Sequence, residues 1–428
     1  MPRTFWYDRS RSSGAVQEVF IIGVSMTPFG RHLERSCADL GREAAQAALT
    51  DAAISVGDLD IIFYANTVQG AIEGQYGMKG QHALLPMGVD GCPIVNVENA
   101  CTGGSTAFNL AVAQVAGGCA SVALAVGAEK LNTQDKARRQ ASFSQPGDLA
   151  QITTFLNQYA GLVEDVRPPA SAVIDEALRS PFMDAYALQA KLHMKRYGTS
   201  WRQLAAVSAK NHQHSALNPL SQYQKAMSIE EVLAARIIAW PLTLPMCAPI
   251  SDGASAAVVC SREALGRSGA ARAVRVCASV IRGNHRRAID QPMSGALHAA
   301  AQAAYRQAAV GPRDISLAEV HDATAYGEIA HLELTGLCEP GQGGPMTESG
   351  ATTLGGRIPV NVSGGLESKG HPVAATGLAQ IFELTQQLRG EAGDRTVAGA
   401  RYALASCGGG FFNVEEGLSA VTILGRRQ

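Results

Sequence analysis

The sequence predicts an α/β protein in which a buried sheet is covered by helices, the whole being duplicated along the chain and interrupted by a mainly helical insertion. Three observations carry this. Apolar strand-like runs alternate with helix-like runs up to Glu129, the composition then shifts for about a hundred residues, and the opening pattern returns in outline from about Ala273.

In chain order, a polar, Arg/Ser-rich leader over residues 1–17 precedes the first strand, "EVFIIGVSMT". The strand-like runs "DIIFYANTV", "CPIVNVENA" and "SVALAVGAE" follow, separated by the helix-like "DLGREAAQAALTDAAI" and "STAFNLAVAQVAGG". Their continuous apolar character reads as strands buried on both faces. Residues 131–245 are rich in Gln, Arg and Tyr, with helix-like runs such as "DAYALQAKLHMKRYG" and "SWRQLAAVSAKNHQH". They form the expected insertion, splitting an N-terminal half (18–130, completed by 246–268) from a C-terminal half (269–428). The second half repeats the first: strand "AVRVCASVI", helix "GALHAAAQAAYRQAAV", strand "ISLAEVHDAT", glycine-bounded helix "GHPVAATGLAQIFELTQQLRG" and a strand pair around "YALASCGGGFFNVEEGLSAVTIL". Each half then offers one loop and helix start to a common site.

Composition excludes several classes. A net charge of −1 over 428 residues provides no cationic field for nucleic acid. No run is long and apolar enough for a membrane span, and the start lacks the apolar core of a secretion signal, so a cytoplasmic protein is expected. The C-terminal "LGRRQ" carries no peroxisomal tripeptide. Nine scattered cysteines show no zinc-site spacing, so no metal is expected. There is no phosphate-binding or dinucleotide-binding glycine motif.

Four side chains stand in unusual settings, each with a plain structural alternative. Cys101 in "NVENACTGGSTAF" follows a strand and opens a small-residue helix. Unpaired N–H groups and the helix dipole there predict a thiol pKa below the free value of about 8.5, although such cysteines are often inert packing groups. His371, in the glycine-dense "NVSGGLESKGHPVAATG", is placed to act as a base or merely to bridge the turn. His321, in "EVHDATAYGEI", ends a strand; Asp322 and Glu328 either orient it or cap the next helix. Cys407 in "SCGGGFFN" fits an acid-base thiol beside exposed N–H groups, or a buried cysteine at a hairpin. His212 and His214 are two apart on a helix and so diverge, which argues against a metal pair. Lys369, Arg202 and Lys210 could contact a phosphate or simply solvate a surface. Taken together, two thiols and two imidazoles at strand ends across both halves describe acyl transfer through a thioester.

These stretches, with "GQYGMKGQHALLPMGVDGCPIVNVENACTGGSTAFNLA", "KRYGTSWRQLAAVSAKNHQHSALNP" and "PLTLPMCAPISDGASAAVV", occur in the order of a known family. The chain resembles the thiolase superfamily, most closely the sterol-carrier-protein-type thiolases, from about Glu18 to the C-terminus. The resemblance implies a duplicated five-layered αβαβα fold with a helical loop domain, a homodimer or homotetramer, a place in lipid metabolism, and action on acyl-CoA or 3-ketoacyl-CoA with coenzyme A as substrate and no permanently bound cofactor. It implies that Cys101 is the acylated nucleophile, His371 its activating base, Cys407 the second acid-base group, and His321 a partner of His371 in the thioester oxyanion pocket. The backbone N–H groups of Cys101 and Gly409 correspond to a second oxyanion hole.

Two positions depart from the family pattern: Thr324 stands where an aromatic is usual, changing the wall beside His321, and Ala374 stands where glycine is usual, adding a methyl near the thioester. Ketoacyl synthases and hydroxymethylglutaryl-CoA synthases share the fold but lack the histidine-proline motif with a second cysteine followed by glycines. A different alternative is a thiolase-like subunit that works with a small zinc-ribbon/OB-fold partner in specialised acyl transfer or aldol cleavage.

Overall fold

The computed structural model describes residues 17–427 apart from 136, 139–141, 143–145, 171, 175–178 and 267–270; the expected leader, Gln17 excepted, lies outside the described residues. The first half contains β1 (Val19–Met26), α1 (Cys37–Asp51), β2 (Ile61–Ala65), α2 (Gln69–Glu73), α3 (Lys79–Leu84), β3 (Ile94–Val97), α4 (Gly103–Ala116) and β4 (Val122–Glu129). Helices α5 (Pro146–Tyr159), α6 (Pro181–Tyr197), α7 (Trp201–Ser215) and α8 (Ile229–Ala234) follow, with a short hairpin of β5 (Ile237–Ala239) and β6 (Leu242–Thr243), before β7 (Gly253–Ser261). The second half contains β8 (Val274–Gly283), α9 (Ala296–Ala308), β9 (Leu317–Glu319), α10 (Ala325–Leu334), α11 (Gly343–Glu348), α12 (Thr376–Arg389), β10 (Tyr402–Gly409) and β11 (Leu418–Arg426).

The strand order β3-β2-β4-β7-β1-β8-β11-β10-β9 makes the duplication explicit. In the first half β2 runs parallel to β3 and β4, and β7 runs antiparallel to β4 and β1. The second half repeats this with β9 parallel to β10, and β11 antiparallel to β10 and β8. A bridge from Ala318 to Val360 stands where β3 stands in the first half. The two half-sheets join through Val19–Ile21 of β1 and Val274–Val276 of β8.

Three apolar cores define the layers. The central one packs Phe108, Ala111 and Val115 of α4 and Leu378, Ile381 and Leu384 of α12 against strands of both half-sheets. A second lies between α1 and the outer face of β2, β4 and β7, and a third between α9 and β8–β11. This gives the five-layered αβαβα arrangement expected from the sequence.

The helix starts follow from local chemistry. Ser36 and Asp39 form a reciprocal cap on α1, and Ser200 with Gln203 does the same for α7. Where α4 and α12 begin side by side, only glycine fits: a Cβ on Gly104 would lie 2.6 Å from the Ala374 carbonyl, and one on Gly377 would lie 2.0 Å from Ser105 Oγ. That close approach brings the Cys101 turn and the His371 loop together. No helix among the described residues is long and apolar enough to cross a membrane.

Candidate active site

Cys101 sits in a 3₁₀ turn (Ala100–Thr102) between β3 and α4, after Ala100 in a left-handed conformation (φ 45°). The turn is held by Thr102, whose N–H and Oγ1 both donate to the Asn99 carbonyl at 3.0 and 2.7 Å. The glycines after Cys407 let β10 run directly against this turn: a Cβ on Gly409 would stand 2.3 Å from Thr102 Oγ1 and 2.6 Å from the Asn99 carbonyl. The Gly410 N–H donates to the Cys101 sulfur, a contact that sequence reasoning did not single out.

The depressed thiol pKa expected from the helix start is not what the environment produces. Burial pushes the Cys101 thiol up to about 12; the Gly410 N–H opposes this, and the buried carboxylate of Glu129 and the half-buried one of Glu416 add to it. Desolvation exceeds the helix-end effect because the turn lies beneath both halves rather than at an open helix end. At neutral pH Cys101 therefore stands as a neutral thiol.

His371 supplies a lone pair. Its N–H donates to Ser251 Oγ at 2.9 Å, and its Nδ1 lies 2.6 Å from Thr376 Oγ1, whose hydroxyl donates to the Pro372 carbonyl at 3.2 Å. Thr376 therefore accepts from Nδ1–H, leaving Nε2 unprotonated. Burial, with Lys369 contributing, lowers the His371 pKa to about 4. His321 is buried, 5.4 Å from His371 ring to ring, and burial followed by its two histidine neighbours keeps it well below the usual histidine range. The Sγ of Cys101 and ring nitrogens of His321 and His371 lie within 4.8 Å of one another. Cys407 Sγ lies 3.4 Å from His321 Nδ1 and 3.2 Å from the Cys101 carbonyl; burial and then Cys101 raise its pKa well above the ordinary thiol value. His331 stacks on His321 at 5.8 Å and bridges Ser406 Oγ (2.9 Å) to Glu416 (3.3 Å).

The two histidine loops are fixed by a buried ionic network. Asp322 accepts from the Leu366 and Glu367 N–H groups and from Asn211 Nδ2, and Glu328 accepts from Lys210 Nζ at 2.6 Å, Asn211 Nδ2 at 3.1 Å and Asn361 Nδ2 at 2.7 Å. Asp322 and Glu328 thus bind the opposite loop and α7, while the cap of α10 is Thr324, which accepts from the Gly327 N–H. Lys210 and Lys369 do not face a phosphate: both are buried, Lys369 against Glu319 and Ser363. Arg202 pairs with Glu230 and Glu348 at the surface. His212 and His214 have separate partners, Ser368 and the Asn361 carbonyl, as their spacing predicts. The Ala374 methyl packs toward Gly103, and its N–H donates to Glu129, which also holds Asn66, Thr67 and Val68 and whose pKa burial raises to about 7.

The halves of this duplicated α/β protein therefore meet at a half-buried thiol, two imidazoles that burial keeps neutral and a second, buried thiol, the residue types of a nucleophile-and-base site. Residues 19–232 match the family model "Thiolase, N-terminal domain" and residues 278–426 match "Thiolase C-terminal domain-like". The chain belongs to the thiolase family, and it is an acyltransferase that takes coenzyme A as substrate. It is 36% identical over 408 residues to sterol carrier protein 2 of Oryctolagus cuniculus, covering 92% of this chain and 70% of the relative. It is 34% identical to the acetyl-CoA acetyltransferase of Methanothermobacter thermautotrophicus, covering 96% of this chain and all of the relative. The solved structure titled Ltp2-ChsH2(DUF35) aldolase superposes with a TM-score of 0.75 at 23% identity, covering 97% of this chain and 99% of that one.

Proposed function

We propose that this acyltransferase cleaves 3-ketoacyl-CoA with coenzyme A, or condenses acyl-CoAs in the reverse sense, through an acyl group on Cys101. The supporting observation is the convergence of Cys101, His321 and His371 within 4.8 Å, with Cys407 Sγ 3.4 Å from His321.

In the cleavage direction His371 Nε2 takes the Cys101 proton as the sulfur attacks the 3-keto carbon. The bond between C2 and C3 breaks, and Cys407 donates its proton to C2, releasing acetyl-CoA. Acyl-Cys101, imidazolium His371 and thiolate Cys407 remain. Incoming coenzyme A gives its thiol proton to Cys407 and attacks the acyl carbon, and Cys101 leaves with the proton from His371. His321 with protonated His371 would face the thioester oxygen of the acetyl unit. The Cys101 and Gly409 N–H groups would hold the acyl carbonyl.

The reading extends to assembly. Among the described residues β3 ends the sheet with no strand on its outer edge, and Val95 (39% exposed), Tyr76 and Met78 leave an apolar strip beside it, which suits pairing with a second copy in a homodimer. Two reactive cysteines favour thiolysis over an aldolase subunit, which needs no acylated thiol. Initial rates of acetoacetyl-CoA thiolysis test the proposal. Activity in the purified chain, lost by about a thousandfold or more in Cys101→Ala and His371→Ala, is expected from the usual weight of nucleophile and base. Activity that appears only with an added partner protein would contradict it.

A further inference from the structure

A cavity of about 480 Å³ opens between α5, the loop after β8 and the hairpin joining β10 to β11, within the size range of small-molecule sites. We propose that it is the acyl pocket of the thiolase reaction described above, and that it takes an aromatic or alicyclic acyl group ending in a carboxylate, with Arg286 as the anion's partner.

The position comes from the hairpin. The residue before it, Gly409, lies directly against the Cys101 turn, where a Cβ would stand 2.3 Å from Thr102 Oγ1, and Phe412, three residues on and therefore within about 11 Å along the backbone, already lines the cavity. Between them Phe411 packs edge-on against Phe155 of α5 at 4.9 Å, which pins the hairpin to the helix across the cavity.

The lining states the chemistry. Phe155, Tyr159 and Phe412 supply ring faces and edges, against which flat or cyclic carbon skeletons pack better than a thin chain does. Two guanidinium groups line the cavity, and no carboxylate does among the described residues. Arg287 is committed: its Nε binds Glu415 at 2.6 Å and its Nη2 donates to the Val414 carbonyl at 3.3 Å. Arg286, one residue earlier, is exposed and has no ion pair or hydrogen bond among the described residues. A cavity lined by aromatic rings and by an uncommitted planar donor complements a ring-bearing acid. The phosphates of coenzyme A are the other source of an anion.

Steady-state thiolysis with three substrates separates these: acetoacetyl-CoA, an aryl 3-ketoacyl-CoA, and the same aryl compound carrying a ring carboxylate. The expected result is a higher kcat/KM for the carboxylated than for the neutral aryl substrate. Arg286→Gln should shrink that preference by about 10-fold to 100-fold, the usual worth of a charge-assisted hydrogen bond, and Arg286→Lys should keep part of it. An unchanged preference in Arg286→Gln would overturn the assignment. So would an equal rise in KM on all three substrates, which would give Arg286 to the coenzyme A phosphates. Loss on all three without an acyl adduct at Cys101 in the unaltered chain would instead sink the thiolase reading beneath it.

Discussion

Cys101 is a neutral thiol before substrate arrives, because the burial that assembles the site outweighs the N–H groups turned toward it. The same burial keeps His371 neutral down to about pH 4, so base and acid coexist across the physiological range. One consequence is measurable without substrate. Inactivation by iodoacetamide should climb about tenfold per pH unit from roughly pH 7 to 10, following the thiolate fraction, with no plateau near neutrality. A plateau at pH 7 would show a depressed thiol pKa and restore the helix-end expectation. The roles proposed for Cys407 and Cys101 can be separated by experiment. Cys407→Ala should still accept an acyl group from a simple acyl-CoA, yet should lose exchange of the acetyl-CoA methyl protons into deuterated water by about a hundredfold or more, as read by NMR. Retained exchange would remove Cys407 from the carbon-acid step.

Helix α7 ties the insertion to the chemistry. Asn211 Nδ2 lies 3.0, 3.1 and 3.0 Å from carboxylates of Asp322, Glu328 and Glu367, which belong to the two histidine loops and the start of α10. All four side chains are buried, so Asn211→Leu leaves carboxylates short of a donor and should lower unfolding free energy by about 3 kcal/mol in urea titrations. At the α4–α12 contact, Gly104→Ala forces a methyl to 2.6 Å from the Ala374 carbonyl and should cost about 1–3 kcal/mol while separating Cys101 from His371. These contacts explain what could be read in advance and what could not. The four converging side chains stood out in the sequence because each lies at a strand end or in a glycine-dense turn. Lys210 and Lys369 were not: their carboxylate partners lie 118 and 50 positions away in the chain, and local composition carries no sign of burial. Gly410 was indistinguishable from its two glycine neighbours, because only the meeting of the end of β10 with the Cys101 turn tells them apart.

Across the whole molecule, two copies of one α/β unit face each other with their α4 and α12 helix starts in contact, and the site occupies that contact. The alternation of buried strands and helices was visible as such, and so was the helical character of the segment between β4 and β7. The joining of the half-sheets through β1 and β8 was not, since it rests on three residue pairs between strands that read like any other buried strand. If a second copy covers β3, Val95→Lys should convert a dimer to a monomer in light scattering behind gel filtration; an unchanged mass would place any interface elsewhere. The account as a whole stands on a covalent intermediate, and intact-protein mass spectrometry after brief exposure to acetoacetyl-CoA and a panel of acyl-CoAs measures it directly. The predicted result is a gain of one acyl group in the unaltered chain and none in Cys101→Ala; no adduct from any thioester, or an adduct that persists in Cys101→Ala, would contradict it.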